Sequence, residues 1–390
     1  MNKIDELIQQ YCPEGVEYVK LGDCCNILDS QRKPVAKGAR SNGIYPYYGA
    51  NGIQDYVSDY IFDGTYVLVG EDGSAITKNG NPVINWATGK IWVNNHAHIL
   101  GENYKAILRY LFFILQTLDI TPLIHGNIPK LTKGDLKDLE IPLPPLPVQE
   151  AIVNILDRFA EYAAELQAEL QARQQQYQYY RNLLLSFEDN NTRVLQLQQC
   201  VSDDCSMSYG IVQPGDDYCG GVPVIRPVDL SKRIIHVQGI KTIKPELLHS
   251  YSRTELKGGE LLVCVRGTTG VVSFAGNDLR GGNVSRGIVP LRFNSLVDAH
   301  YMYHLFNSDY VRTQIGDKTR GAALQQINVG DLKKISIPVP PITEQKRIAS
   351  ILDRFDTLAN DLSQGLPAEI EARQQQYEYY RDQLLTFKRM

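Results

Sequence analysis

Apolar positions along this chain follow two alternating regimes. In one they recur every three or four residues over long spans; in the other, short apolar runs are broken by Gly, Asn and Pro. Residues 3–11 open in the first regime, with Ile4, Leu7, Ile8 and Tyr11 at helical spacing and Pro13 and Gly15 closing the helix. From Val19 the second regime takes over, and runs at 44–52, 65–73, 82–86 and 89–100 predict strands joined by polar loops. Tyr104 to Leu118 predicts an apolar helix with Leu108, Leu111, Phe112, Leu115 and Leu118 on one face. The string IPLPPLP at 141–147 cannot be mid-helix or mid-strand, because proline fixes φ and lacks a donor. It reads as a stiff extended linker, with a proline-rich peptide ligand as the other reading. Val148 to Phe187 then carries no breaker, and Ile152, Ile155, Phe159, Tyr162 and Leu166 step by three and four as in a coiled coil. Forty such residues make a rod of about 60 Å.

The same recipe then runs again. Runs at 221–230, 233–243, 260–274 and 285–293 predict strands, and Ala299 to Asn307 predicts the counterpart of the apolar helix. Ile351, Phe355 and Leu362 resume the helical stripe, but Gly365 and Pro367 interrupt it, so two helical pieces are expected.

This recurrence is literal in places. ILDRF at 155–159 returns at 351–355, and ARQQQYQYYR at 172–181 returns as ARQQQYEYYR at 372–381. GDLKDLEIPLPPLPVQ at 134–149 matches GDLKKISIPVPPITEQ at 330–345, and matching Gly-led loops, Gly126 to Leu131 and Gly321 to Ile327, precede them. Leu7, Tyr11, Val19 and Leu21 align with Leu183, Phe187, Leu195 and Leu197, so residues 5–11 read as the tail of the repeated helix without its first half. The chain is therefore an internal duplication, circularly permuted. The two inserts share almost no sequence, so two different specificities are expected on one scaffold. A tandem tetrad, AAEL QAEL, lies at 163–170.

Composition narrows the classes. With 390 residues, 43% hydrophobic and 22% charged, the chain has room for two or three ordinary cores. No apolar run approaches the ~20 residues of a membrane span, and the charged amphipathic start does not read as a signal peptide. Seven cysteines without a CxxC argue for reduced thiols and a cytoplasmic protein, and Cys200 with Cys205 lacks a second pair for zinc. Net charge is −4. Residues 193–335 hold 17 Lys and Arg against 13 Asp and Glu, while 19–140 hold 12 of each. Phosphate binding must therefore come from charge placement rather than bulk charge.

Catalytic signatures are missing from the sequence: there is no GxxxxGK[ST] and no Asn-Pro-Pro-aromatic tetrapeptide. Glu255-Leu256-Lys257 copies half a nuclease motif without an acidic partner at suitable spacing. His96 and His98 flank Ala97 on an expected strand, so both would face the same way; without a third ligand they read as a polar face more readily than as a metal or base site. The loops, by contrast, carry chemistry suited to DNA. In the first insert the candidates are Arg32, Lys33, Lys37, Arg40, Tyr47, Tyr48, Asn51, Lys78, Asn79, Asn94, Asn95 and His96. In the second they are Arg226, Lys232, Arg233, Arg253, Arg266, Thr268, Thr269, Arg286 and Arg320. Arg and Lys suit phosphates and guanine edges, and Asn can bond adenine bidentately.

The duplicated GDL and IPLPPLPVQ/IPVPPITEQ strings, ILDRF and ARQQQYxYYRxxLLxF, with two variable inserts between them, resemble the specificity subunit of a type I restriction–modification system over the whole chain. The tetrad resembles the spacer element of one subfamily. The resemblance implies target-recognition domains at 19–141 and 191–337, spacer helices at 142–190 and 338–390, and an N-terminal segment, 1–18, completing the helical scaffold. It implies an α+β fold, mixed α/β in each insert. Two globular domains would be separated by long antiparallel coiled-coil helices in an internal duplication with pseudo-twofold symmetry. It further implies binding of double-stranded DNA at a bipartite site and docking of two methyltransferase subunits and two restriction subunits, without a membrane. S-adenosylmethionine, ATP and Mg would belong to those partners, this chain holding no cofactor, metal or catalytic residue. Dimeric repressors read half-sites about 34 Å apart, a span that a 60 Å rod covers. A coiled-coil adaptor whose inserts bind proteins is the competing reading, and it predicts no salt-dependent DNA binding.

Overall fold

The computed structural model describes residues 3–124, 128–187, 192–319, 326–361 and 364–390. Contacts divide it into two compact units, Met1–Leu166 with Ile370–Met390, and Gln167–Glu369.

The first unit begins with helix α1 (Lys3–Tyr11), strand β1 (Tyr18–Lys20) and the turn α2 (Leu21–Cys24). Strands β2 (Asn26–Ile27), β3 (Asn42–Gly49), β4 (Gly52–Val57), β5 (Phe62–Gly70), β6 (Ile84–Val93) and β7 (Ala97–Gly101) form one six-stranded sheet in the order β2-β7-β5-β6-β3-β4. Helices α3 (Leu108–Leu115) and α4 (Lys133–Asp138), strand β8 (Glu140–Pro142) and the 39-residue helix α5 (Leu146–Leu184) follow. Central strand β5 is apolar on both faces because both are covered. Val67 and Val69 join a core with Leu111 and Leu115 of α3 and Val148, Ile152 and Leu156 of α5, while Leu68 points to a second cluster with Tyr48, Ile91 and Ile99.

The second unit holds β9 (Arg193–Gln196), α6 (Leu197–Cys200), β10 (Val222–Ile225), β11 (Ile234–Ile235), β12 (Thr242–Ile243), β13 (Leu261–Cys264), β14 (Val272–Ala275), β15 (Asn283–Val284) and β16 (Ile288–Leu291). Helices α7 (Ala299–Phe306), α8 (Asp309–Thr319) and α9 (Val329–Lys333), strand β17 (Ser336–Val339) and helix α10 (Ile342–Asn360) complete it, and α11 (Leu366–Leu385) carries the chain back into the first unit. Its strands make a four-stranded sheet, β11-β14-β13-β16, and a three-stranded one, β12-β10-β15. Leu261, Val263 and Val289 pack with Tyr301, Leu305, Ile348 and Leu352.

One framework underlies both units. The Gln that follows each proline string is fully buried. Gln149 accepts from Ile107 N at 2.9 Å and donates to Pro144 O at 2.7 Å; Gln345 accepts from Asp298 N and donates to Pro340 O, both at 2.8 Å. Each side-chain amide thus clamps helix start, linker and insert together, and removal of such a partner would leave buried donors unsatisfied. Tyr110 donates to Pro142 O at 2.7 Å and Tyr301 to Pro338 O at 2.9 Å. Phe159 stacks on Tyr380 at 5.6 Å in the first unit, and Phe355 on Tyr180 at 5.4 Å in the second. Thus α11 takes the place in the first unit that the second half of α5 takes in the second, and Met390 N donates to Val16 O at 3.1 Å. Helix α1 adds Ile4, with Leu7 and Ile8 beside it, to the same core.

Several expected elements differ. The run at 44–52 is the hairpin of β3 and β4, because the Ala50–Asn51 turn breaks it. The runs 82–86 and 89–93 fuse into β6, and 94–96 separate it from β7. The apolar helix at 104–118 shortens to α3, and α8 carries no apolar signal that set it apart. Pro142 and Pro338 do lie in strands, β8 and β17, each in a two-stranded ladder where a missing donor can face outward. On α5 the buried stripe runs through Val148, Ile152 and Leu156, whereas Tyr162 is exposed, because the insert covers a broad face rather than a narrow seam.

Candidate nucleic-acid interface

The inserts differ in sequence yet bring the same loops to the same end of each sheet. In the first unit Val69 pairs with His98 and Gly70 with Ala97. The ladder continues past the strand ends: Glu71 N donates to His96 O and Leu131 N to Glu71 O, both at 2.8 Å. In the second unit Val263 pairs with Val289 and Cys264 with Ile288; then Val265 N donates to Gly287 O at 2.8 Å and Ile327 N to Val265 O at 3.0 Å. Asn94 N donates to Tyr48 O at 3.0 Å, as Ser285 N does to Ile225 O at 2.8 Å. A hairpin turn closes in as well: a Cβ on Gly70 would lie 3.2 Å from Ala50 O, and one on Gly287 would lie 2.5 Å from Pro227 Cγ. The loops after β3, after β5 and before β7 therefore correspond to those after β10, after β13 and before β16.

At this end of the first unit stand Asn51, Asn95 and His96, all exposed, with His96 paired to Asp72. Several sequence candidates are committed elsewhere. Arg32 is half-buried and donates to Glu71, to Asp29 O at 3.0 Å and to Ala97 O at 2.8 Å, so it ties the loop after β5 to the start of β7. Arg40 pairs with Asp55 at 3.2 Å and lies 4.1 Å from the Tyr47 ring centroid. Tyr47 and Tyr48 are buried, and the Tyr47 hydroxyl bonds Val35. Asn94 is buried too; its side chain accepts from His96 N at 2.8 Å and so shapes the turn. Lys33 and Lys37 are exposed beside β6 and on a short helical turn. Lys78 and Asn79 are exposed farther along the loop after β5, in a turn where Ile120 N donates to Gly80 O.

His98 is not part of a polar face. It is fully buried, with Nδ1 2.7 Å from Asp29 and Nε2 2.9 Å from Leu131 O. Burial would raise the Asp29 carboxyl, but hydrogen bonding from His98 and the charge of Arg32 outweigh it and hold it below its usual range. Asp29, Glu71 and His98 are the one His/Asp/Glu group among the described residues with metal-like spacing, and the Arg32 guanidinium already supplies their positive charge.

In the second unit Arg266, Thr268, Thr269 and Arg286 meet at the corresponding end, with Arg226 beside them. Arg226 is engaged by Asp229 through Nη2 at 2.9 Å and Nε at 3.1 Å. Arg233 leaves the interface: it bonds Asp353, Asp356 at 3.1 Å and His300 at 3.0 Å, and its guanidinium lies 4.9 Å from the Tyr303 ring. Asp353 is the acid of the second ILDRF string. Burial would raise its carboxyl, yet bonds from His300 and His304 and the charge of Arg233 hold it well below the carboxylate range. Asp157 of the first copy takes one donor instead, Arg109 Nε at 2.7 Å. Each ILDRF acid thus fastens an insert to its scaffold helix, a role the sequence reading missed although the duplicated Asp marked it. Lys232 is exposed and lines a cavity with Val271 and Tyr303, Arg253 is exposed, and Arg320 lies outside the described residues. This end of the second unit also gathers Gln326, and that of the first gathers Asp72 and Lys130; none of these three stood out in the sequence.

A family model described as type I restriction modification DNA specificity domain matches the chain twice, over residues 13–173 and 216–372. The chain belongs to this family. A putative type I restriction enzyme specificity subunit of Haemophilus influenzae is 36% identical over 386 residues, covering 95% of this chain and 96% of that protein. A type I restriction enzyme specificity subunit of Escherichia coli is 31% identical and covers 73% of this chain and 72% of its own length. The crystal structure of a type I restriction–modification S subunit from M. genitalium shares the fold, with a TM-score of 0.58 at 13% identity over 95% of this chain and 96% of that one.

Proposed function

We propose that this chain reads a bipartite sequence in double-stranded DNA, one half-site per unit, and acts as the non-catalytic specificity subunit of a type I restriction–modification complex. The observation that carries the reading is one hydrogen-bonded framework bearing unlike loops at the same end of both sheets. A shared framework with divergent side chains is what two different base sequences demand, since phosphate contacts position a protein and base contacts specify. The partners would bring S-adenosylmethionine, ATP and Mg. Among the described residues no helix is long and apolar enough to cross a membrane.

Two copies of one partner, an adenine methyltransferase subunit, fit the scaffold helices, with restriction subunits joining them. ARQQQYxYYR is kept in both copies at exposed positions that the stacking of Tyr180 and Tyr380 does not use: Gln174, Gln175 and Tyr179, and Gln374, Gln375 and Tyr379. Tyr179 is 63% and Tyr379 62% exposed, far more than packing within the chain would require of a tyrosine. Identity at solvent-facing positions is explained by one surface meeting each copy in turn.

The test is selection from random duplexes by this chain assembled with the methyltransferase subunit of its own locus. Two short motifs at a fixed gap are expected. One contiguous motif would mean that a single unit reads, and no enrichment from a stable complex would favour the adaptor reading.

A further inference from the structure

The ladder that joins the reading loops leads to a few residues at the strand ends. In the second unit Cys264 faces Ile288, Val265 N bonds Gly287 O, and Arg286 stands in the turn that Ile288 N closes on Ser285 O, beside the strand end that carries Arg266. On its other side Arg266 bridges Gln326. In the first unit Gly70 faces Ala97, Glu71 N bonds His96 O, Asn95 stands in the equivalent turn, and Asp72 bridges Lys130. Each unit therefore gathers three residues from three neighbouring segments at this end: Asn95, Asp72 and Lys130, and Arg286, Arg266 and Gln326. Neighbouring strands lie about 4.8 Å apart, so three segments span about 10 Å, or roughly three base steps of 3.4 Å.

The second set is basic. Arg226, Arg233 and Arg292 of the same unit each hold a carboxylate. Arg266 and Arg286 have no acidic partner among the described residues, and Arg286 is exposed. Two unneutralised guanidiniums at one end of the sheet call for acceptors from outside, and guanine, with O6 and N7, offers them bidentately. In the first set Asp72 has the opposite sign. Asp72 holds His96, Lys130 lies 3.5 Å from Glu71, and the acid can accept from the amino group of cytosine or adenine.

We propose that these two sets are the base readers, and that Arg266 and Arg286 read guanine in the second half-site. This rests on the bipartite DNA reading above and assigns it residue by residue.

The experiment repeats the selection with the complex carrying Arg266→Ala, Arg266→Lys, Arg286→Ala or Asp72→Ala. The wild-type motif should contain guanine in the half-site that responds to Arg266. Arg266→Ala and Arg286→Ala should each relax guanine preference there by about ten- to a hundredfold and leave the other half-site intact. Arg266→Lys keeps the charge but loses the planar fork, so affinity should hold while the preference relaxes. Asp72→Ala should relax the other half-site alone. An unchanged motif with binding weakened across all sequences would make the arginines phosphate contacts and overturn the proposal, as would a second half-site without guanine. A wild-type complex yielding no bipartite motif would instead sink the underlying DNA reading.

Discussion

Arginine takes two roles in this chain, and the difference lies in acids that are distant in sequence. Arg32 meets Glu71 39 residues on, and Arg233 meets Asp353 120 residues on. Both have the sequence context of DNA contacts, being loop residues, and both hold the fold, because a partly buried guanidinium stripped of its carboxylate would be left as an uncompensated charge. Arg266 and Arg286 look no different in the sequence, yet no acid among the described residues is folded toward them. The Asp353 cluster also carries a pH dependence. The hydrogen bond to Asp353 raises the pKa of His300, and burial lowers that of His304. Stabilisation through His300 is therefore complete below the ordinary histidine value of about 6.5 and fades as pH climbs through the raised value. His304 acts with the opposite sign, losing its contribution as pH falls, so the comparison must isolate His300. Wild type minus His300→Gln should show a melting advantage of a few degrees at most near pH 6 that shrinks toward pH 8. Calorimetry reads this directly; a difference that does not change with pH would remove the titration from the account.

At the scale of elements, the long helices were the most legible part. Nothing breaks α5, and the C-terminal stretch does form two helices, α10 and α11, with Gly365 just before α11 and Pro367 in its first turn. Short strands were less legible, because an apolar run does not reveal where a turn folds it back. The run 89–100 is divided by Asn94, whose side chain caps its own turn, and the run 260–274 is folded into the β13–β14 hairpin by a Gly-rich turn with Gly267 and Gly270 at positive φ. Neither division is a hydrophobic signal. The tetrads on α5 allow a prediction at this scale. Deleting Gln167–Leu170 removes about 6 Å of helix, close to two base pairs at 3.4 Å. The selected motif should then keep both half-sites and lose about two base pairs from its gap, as read by the same duplex selection; a gap of unchanged length would refute the spacer role.

For the whole molecule, the duplication is legible in the amino-acid sequence alone, through strings such as ILDRF at 155–159 and 351–355, and the family match falls on both copies. The exposed repeat residues make a prediction about assembly. Tyr179→Ala should remove one methyltransferase subunit, and joining it with Tyr379→Ala should remove both, as counted by native mass spectrometry. Loss of both partners from either single variant, or of none from the pair, would contradict two equivalent docking surfaces.

The repeated scaffold, the unbroken run of α5, the break between α10 and α11 and the division into two unlike inserts are all written in the order of residues. These follow from local spacing and from strings copied along one chain. Only the tertiary structure decided that the unlike inserts share one framework, that α11 completes the first unit, and which arginines are neutralised. Those outcomes depend on pairings such as Gly70 with Ala97 or Cys264 with Ile288. Backbone hydrogen bonds do not specify side chains, so a common ladder leaves little trace in the residues that form it.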